Sequence, residues 1–334
     1  MRFKQFILLR FLLTIPMLFI ITSITFFLLR ILPGNPALAI LGEEATPESV
    51  KALEELLGLN KPWHEQFISF WLNVLRGDLG KSLRTGGNVN VEILSRLPTT
   101  LELVIGGIAL GNIVAIIIGC ESGYRRGLLD YFARAYSVFG YCVPIFWLGL
   151  MFQLLFGVYL GILPIQGSID PSIAPKRITG SVILDCILSG NLYALIDALR
   201  HYALPWLVLS LWYSAVNSRV LRANISEVLL QDYIVTARAK GLDRTTILYK
   251  HALKNALIPF LTLMGLQFAR ALSGVVLTET VFNIPGMGRL LFVSILNRDY
   301  PVVQGIIIWI TIVVAITLLI IDILLAHIDP RIKY

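Results

Sequence analysis

Charged side chains are scarce in this chain. Lys, Arg, Asp and Glu make up only 15% of the 334 residues, while hydrophobic residues make up 56%. A soluble domain usually carries about a quarter charged residues. The apolar residues occur in long blocks, and the alternating segments of about ten residues that form transmembrane β-barrels are missing. The composition therefore excludes an ordinary soluble protein and favours membrane-spanning helices.

Cysteine and histidine are too few and too scattered to indicate a metal centre or a disulfide framework. The three cysteines, which show no paired spacing, are Cys120, Cys142 and Cys186. Gly80-Lys81-Ser82 ends like a phosphate-binding loop but lacks the earlier glycine, and Gly286-Met287-Gly288 lacks the third glycine of a dinucleotide loop. We therefore predict that this chain has no catalytic residue, holds no metal and binds no cofactor.

Six apolar blocks are long enough to cross about 30 Å of hydrocarbon as helices. These blocks are Phe11–Leu29, Leu103–Gly119, Tyr136–Leu160, Tyr202–Ser218, Asn255–Thr278 and Tyr300–Ile321. A cleaved signal peptide is the alternative for the first block. That block is long, however, and no small-x-small cleavage site follows it. The sequence thus predicts an all-α polytopic membrane protein with six spans.

Smaller signals predict how these helices pack and what lies between them. Gly107 and Gly111 form a G-x-x-x-G pair, which indicates close helix packing. In the first outer segment, Thr46 is a predicted N-cap and Gly58 a predicted stop for a short helix. A second helix follows Pro62 and carries an aromatic stripe. That stripe is either a substrate or partner surface or, as we favour, core or membrane-interface packing. The structure of the second outer segment, 161–200, cannot be predicted.

The distribution of Lys and Arg predicts the orientation. With the N-terminus inside, the inner segments carry a clear excess of basic over acidic residues, whereas the outer segments do not. Both termini are therefore predicted to be cytoplasmic. The net charge of +7 is explained by this asymmetry, so no nucleic-acid partner is predicted.

The loop 222–254, between the fourth and fifth blocks, is the most informative segment. It divides into two helical stretches at Gly241, a residue that reaches positive φ without strain. Thr236, Ala237 and Ala239 are small, which allows another surface to approach the backbone closely. Docking onto a partner protein and lying on the inner leaflet as an amphipathic helix are both compatible with this pattern.

The loop resembles the coupling motif of ABC-importer permeases in the segment Asp232–Leu242 and the following Ala256-Leu257-Ile258-Pro259. One departure is Thr236-Ala237-Arg238, which stands where the general motif has an acidic residue followed by two alanines. The whole chain resembles the first permease subunit of the dipeptide/oligopeptide importer family. Further segments that carry the resemblance are 32–36, 77–83, 97–103, 144–150, 278–288, 297–301 and 329–331.

The resemblance implies a type I ABC-importer permease fold, with residues 1–95 as an N-terminal helix plus outer segment and residues 96–334 as a five-helix core. It implies a pore-forming subunit of a prokaryotic cytoplasmic (inner) membrane importer, and not an enzyme. The implied partners are a second related permease, two ABC ATPases that bind ATP and Mg²⁺, an outer substrate-binding protein and membrane lipid. The implied ATPase-coupling residues are Asp232, Tyr233, Thr236, Ala237, Arg238, Ala239, Lys240, Gly241 and Leu242.

Peptides are the implied cargo, and three ionisable residues are candidates for the substrate path: Arg270, Glu279 and Glu102. Arg270 is predicted to hold a peptide carboxylate, to pair with one of the two glutamates, or to pack at a subunit interface; pairing or interface packing is favoured. Alternative cargoes within the family are nickel chelates, oligosaccharides, glutathione and antimicrobial peptides. A receptor or channel that works without a motor is the alternative from another class.

Overall fold

A computed structural model of the chain describes residues 3–31, 36–41, 45–56, 58–125 and 127–328. Within these ranges the structure is helical, and the only β contact is a bridge between Lys81 and Asn88. π-Helical stretches, Gln153–Tyr159 and Thr246–Ala252, extend α8 and precede α12. The helices are α1 (Phe3–Ile31), α2 (Pro36–Leu41), α3 (Pro47–Leu56), α4 (Trp63–Leu75), α5 (Val89–Leu94), α6 (Leu97–Tyr124), α7 (Leu128–Cys142), α8 (Ile145–Phe152), α9 (Val182–Leu188), α10 (Leu192–Val228), α11 (Asp232–Ala239), α12 (Leu253–Val281), α13 (Met287–Leu296) and α14 (Tyr300–Ile328).

Among the described residues, four helical stretches are long and apolar enough to cross a membrane, and α7 with α8 makes a fifth if the bent pair counts as one span. The four are Leu12–Ile31, Val89–Tyr124, Thr246–Leu272 and Tyr300–Ile323. The remaining predicted span lies inside α10, a helix of 37 residues and about 55 Å. α10 is long enough to cross a bilayer, but it is less apolar than the other spans. The chain is therefore an all-helical membrane protein.

The third predicted span is not one straight helix. α7 ends at Cys142, Val143 is extended, and α8 starts after Pro144. A residue that precedes proline disfavours the helical conformation, and proline itself has no N–H to donate. The apolar block is therefore broken into two helices that meet at 99°.

α6 and α10 pack closely along a row of glycines. A Cβ built at Gly107 would lie 2.7 Å from the Cβ of Leu209, and one at Gly111 would lie 2.9 Å from the Cβ of Tyr213. Gly119 and Gly123 on the same side of α6 are equally crowded by α10. The G-x-x-x-G pair therefore packs two helices of this chain together, as predicted.

The first outer segment folds as predicted and packs on α1. Thr46 Oγ1 accepts a hydrogen bond from the Ser49 N–H at 3.2 Å, which places the N-cap of α3, and Gly58 has a φ of +66°. The aromatic stripe of α4 contacts α1, with 5.2 Å between the ring centres of Phe67 and Phe26. This contact supports the packing interpretation of the stripe. In the segment 161–200, the structure forms α9 and the beginning of α10.

Candidate functional site

α11 is a short helix whose inner side packs into the core of its own chain. Ile234 is fully buried, and Ala237 is only 5% exposed. Both belong to an apolar cluster with Leu221 of α10 and with Ile247 and Leu248 of the following π-helical stretch. This side of α11 is therefore covered by protein and is not available to enter a lipid leaflet.

The outer side of α11 and the turn after it form an exposed surface, which we call the coupling surface. Ala237 is the one predicted coupling residue that this surface lacks, because it faces inward. Val235, which was not predicted, is 56% exposed beside Tyr233 at 40%. The exposed residues of the coupling surface are Asp232, Tyr233, Val235, Thr236, Arg238, Ala239, Lys240, Gly241 and Leu242.

Gly241 ends α11 in a left-handed conformation with a φ of +75°. Its N–H donates to the Arg238 carbonyl at 2.9 Å, and the Leu242 N–H donates to the Ala237 carbonyl at 3.3 Å. This pair of bonds is a Schellman motif, in which glycine avoids the steric cost that a side chain meets at positive φ. A Cβ built at Gly241 would contact nothing within 4 Å. The chain therefore needs glycine here for backbone conformation and not for internal packing.

Asp243 begins the helix that continues into α12. Its carboxylate accepts a hydrogen bond from the Thr246 N–H at 3.0 Å, as an N-cap does. The hydroxyls of Thr245 and Thr246 donate to the same carboxylate, and these hydrogen bonds hold the pKa of Asp243 well below its usual range. Asp243 is therefore ionised at neutral pH and fixes the start of this helix directly after the coupling surface.

A polar clamp joins the segment after Gly241 to the end of α6. Arg244 forms an ion pair with Glu121, and its guanidinium lies 4.9 Å from the ring centre of Tyr124. The Tyr249 hydroxyl donates to Glu121 at 3.2 Å. These contacts join the segment after Gly241 to α6. Glu121 and Arg244 are 123 residues apart in the sequence.

A second ion-pair group links α7 to α10. Asp130 is 2% exposed and pairs with Arg222 of α10 and Arg134 of its own helix. Asp130, Glu121 and their partners were not predicted as functional residues. The sequence does show a carboxylate near the end of an apolar block, which is a signal for an ion pair. It does not show which distant Arg residue forms that pair.

Glu279 is fully buried at the end of α12 and binds the beginning of α13. Its carboxylate accepts hydrogen bonds from the Thr100 hydroxyl at 2.6 Å and from the Arg289 N–H at 2.8 Å. Thr100 in turn accepts one from the Met287 N–H at 2.8 Å. A Cβ at Gly286 would lie 2.1 Å from the carboxylate, so glycine is required there. Glu279 is thus a buried carboxyl group held at a helix N-terminus.

Glu102 holds the beginning of α9 in a similar way. Its carboxylate accepts hydrogen bonds from the Ser181 hydroxyl, from the Ile183 N–H at 2.7 Å and from the Tyr202 hydroxyl at 2.9 Å. These donors occupy the carboxylate and join α6, α9 and α10. Glu102 is therefore placed as an internal anchor between helices.

Arg270 pairs with neither glutamate. The structure gives the carboxylates of Glu102 and Glu279 other partners, so the predicted pairing with Arg270 is wrong. Arg270 is exposed and lines a groove between α1, α12 and α14. Of the three predicted path residues, only Arg270 has a side chain that faces outward.

The segment that imitates a phosphate-binding loop binds a carboxylate of its own chain. The Ser82 hydroxyl donates to Asp299 at 2.5 Å, and the Leu83 N–H donates to it at 3.0 Å. Asp299 is 2% exposed and lies directly before α14. This loop therefore fastens the first outer segment to the junction between α13 and α14.

Metal-binding side chains are not brought together in the part of the chain that the structure describes. There, no group of three or more His, Cys, Asp and Glu side chains is placed to hold a metal ion.

Two family models match the chain. The model described as "Binding-protein-dependent transport system inner membrane component" matches residues 111–334, and its N-terminal counterpart matches residues 3–104. The dipeptide transport system permease protein DppB of Alkalihalophilus pseudofirmus is 42% identical over 97% of this chain and 98% of its own length. DppB of Escherichia coli K12 is 37% identical over 99% of both chains, and the glutathione transport system permease GsiC of E. coli O6:H1 is 37% identical over 96% of both. The chain belongs to the family of binding-protein-dependent transport system inner membrane components.

Proposed function

We propose that this chain is a transmembrane permease subunit of an ATP-driven ABC importer that carries di- and oligopeptides across a prokaryotic cytoplasmic (inner) membrane. The coupling surface is the observation that carries this proposal. It is exposed, it is fixed from behind by a buried apolar cluster, and it lies in a chain of a transport family. Such a surface fits the transmission of force from a partner better than catalysis by the chain itself.

The proposed complex contains one copy of this chain and a second related permease subunit. Two ABC ATPases bind ATP and Mg²⁺ on the cytoplasmic side, and a substrate-binding protein delivers cargo from outside. This chain contributes no catalytic residue and binds no nucleotide or nucleic acid. Membrane lipid surrounds the two permeases.

In this proposal six helices span the membrane and both termini are cytoplasmic. The excess of Lys and Arg in the segments assigned to the inside supports this orientation. The length of α10 supports one more span, which makes six when α7 and α8 count as a single span. The coupling surface then faces the cytoplasm, where ATP is available.

We propose that the coupling surface sits in a cleft of one ATPase. Closure of the ATPases on ATP would move α11 together with α10 and α12, because the cluster around Ile234 joins them. ATP binding then biases the permease between inward-facing and outward-facing packing. The ATPases supply the differential free energy, and this chain transmits it.

Peptide cargo is supported by the names of the relatives, two of which are described as dipeptide permeases. Glutathione is the alternative that a specific relative favours, since GsiC is described as a glutathione permease. The test is uptake of labelled dipeptide, tripeptide and glutathione by the reconstituted complex with its own binding protein. Uptake of glutathione without uptake of dipeptide would contradict the peptide assignment.

The coupling surface is tested by two substitutions at Gly241. Asn tolerates positive φ, whereas Arg adds a long side chain at a position that has free space within this chain. We expect Gly241→Asn to keep most of the cargo-stimulated ATP hydrolysis of the assembled complex and Gly241→Arg to abolish it. Co-purification of the ATPases and their ATP turnover are measured together.

A complex with Gly241→Arg that retains both ATPases and normal cargo-stimulated turnover would contradict the docking role. Asp243→Ala is the matched control, because it weakens the helix start by about 1 kcal/mol without adding bulk to the surface. We expect Asp243→Ala to lower stability modestly and to leave the ATPases bound. Failure of the wild-type chain to associate with any ATPase would contradict the proposed function itself.

A further inference from the structure

Between Leu266 and Leu277, the exposed face of α12 carries a single charge. Leu266, Arg270, Gly274 and Leu277 recur at helical spacing and so share one face. Leu266 is 51% exposed and Leu277 52%, and Arg270 and Gly274 are exposed between them. The face extends over about 17 Å of helix. This length corresponds to about three helical turns, which is a surface that another helix can cover.

Arg270 lies at the middle depth of the apolar spans beside it. It lines a groove of about 730 Å³ between α1, α12 and α14. Apart from Thr311, the other lining residues are apolar or glycine. The residues that α1 and α14 contribute come from the interior of their apolar spans, Leu12–Ile31 and Tyr300–Ile323. They are Met17, Ile21, Ile307, Ile310, Thr311 and Val314. A guanidinium at this depth is costly in lipid and faces protein or water in stable assemblies.

Nothing in the described part of the chain neutralises this guanidinium. Among the described residues, the ion pairs involve other cations, and no hydrogen bond to a described carboxylate or carbonyl is formed by Arg270. Glu102 and Glu279 are held by other donors. Since no described carboxylate pairs with Arg270, we look to another chain for the complementary anion.

Gly274, one turn from Arg270, has no packing contact with the described residues that would require glycine. A Cβ built at Gly265 on the same helix would lie 2.4 Å from Ile321, so that glycine is explained by the contact of α12 with α14. A Cβ at Gly274 would contact nothing within 4 Å. Glycine weakens a helix interior relative to alanine, and in membranes small residues allow two helix backbones to approach closely. Gly274 therefore indicates a close approach from outside.

We propose that a transmembrane helix of the second permease subunit lies in this groove and that a carboxylate on that helix pairs with Arg270. A helix satisfies its own backbone groups and suits an apolar groove with one cation. A free peptide carries an amine and amide groups that this lining would leave without partners. The inference rests on the proposed function, since it assumes that a second permease is present.

The experiment co-expresses this chain, affinity-tagged, with its partner permease and measures how much partner is recovered. We expect Arg270→Ala to lower recovery by about tenfold or more, because a buried partner carboxylate loses its counter-ion. Arg270→Lys should keep most of the recovery. Gly274→Leu should lower recovery strongly, whereas Gly274→Ala should have a small effect. Arg76→Ala, which removes an exposed arginine outside the membrane, should leave recovery unchanged.

Exchanging the charges of Arg270 and its partner carboxylate distinguishes loss of a specific ion pair from a folding defect. Arg270→Glu should lose the partner, and replacing one intramembrane Asp or Glu of the partner with Arg should restore it. The amount and the monodispersity of the tagged chain alone report whether the variant folds. Each intramembrane Asp and Glu of the partner is replaced with Arg in turn. If none of these variants restores recovery with Arg270→Glu, the proposed pair is overturned.

Unchanged recovery of the partner with Arg270→Ala would also overturn the inference. If that variant instead raised the KM for a dipeptide but not for its C-terminal amide, Arg270 would be assigned to the cargo carboxylate. Peptide uptake by the wild-type complex is measured in parallel. Absent uptake with Arg270-dependent assembly would contradict the proposed function and leave the pairing intact.

Discussion

At the level of single residues, several buried or half-buried carboxylates in the described part of the chain bind N–H and O–H donors instead of cations, and three of them join distant segments. Glu102 holds the beginning of α9, Glu279 the beginning of α13, and Asp299 the loop after Ser82. Each joins segments that lie far apart in the sequence. Because a buried carboxylate is stable only where donors surround it, these residues define helix positions, and we assign Glu102 and Glu279 a structural role.

Glu279→Ala is expected to destabilise the chain by about 1–3 kcal/mol for each donor left buried without a partner. Thr100 and the Arg289 N–H would lose their acceptor. The measurement is the thermal unfolding midpoint of the purified chain in detergent. Arg289→Ala is the control, because the bond uses the backbone N–H and not the side chain. An unfolding midpoint for Glu279→Ala equal to that of the wild type would exclude the anchoring role.

At the level of helices, local signals predict some elements and not others. Proline and glycine signals place α3 and the beginning of α4, and uninterrupted apolar length places the spans in α1, α6 and α14. Two boundaries were missed. Val143-Pro144 breaks the third block, and a turn at 229–231 separates α10 from α11. The first break has a proline signal, but the length of the uncharged block favoured one continuous span. The second has neither Gly nor Pro, and it depends on Ile234 packing against α10.

The glycine row between α6 and α10 gives the prediction at this level. Gly111→Ala is expected to destabilise the chain by about 1–3 kcal/mol, because its Cβ would lie 3.1 Å from the Ser210 carbonyl oxygen, a backbone atom that does not move easily. Gly274→Ala, which adds the same methyl group in open space, should leave the chain unchanged or slightly more stable. Equal unfolding midpoints for the two variants in detergent would contradict close packing of α6 and α10.

At the level of the whole molecule, the clamp between Arg244 and Glu121 connects the coupling surface to α6. Since α6 packs along α10, displacement of α11 is expected to reach the helices that carry Glu102 and the glycine row. The resemblance of loop 222–254 to the coupling motif named most residues of the coupling surface, and their contact with an ATPase stays a prediction. The clamp was not predicted, because its partners are separated by 123 residues and no pattern in one sequence reports such a contact. The same reason applies to Thr100 and Glu279, which are 179 residues apart.

Glu121→Gln is expected to weaken coupling without preventing assembly. The two partners are about one third exposed, so their pair contributes about 0.5–1 kcal/mol, which corresponds to a two- to fivefold loss in cargo-stimulated ATP turnover. Arg244→Gln should have the same effect. The double variant should be no worse than either single one, because both remove one interaction. Additive losses in ATP turnover would show that the two residues act separately.

The outward-facing Arg270 has a consequence for the life of the protein before assembly. Under the pairing that we propose, a newly inserted chain carries a guanidinium at the depth of the apolar spans without its counter-ion, and that state is less favourable than the assembled one. An unassembled copy is therefore a target for membrane quality control, whereas in the assembled complex the guanidinium of Arg270 is neutralised and buried. In cells that make this chain without the second permease subunit, we expect the chain to have a short half-life. Arg270→Leu should lengthen that half-life.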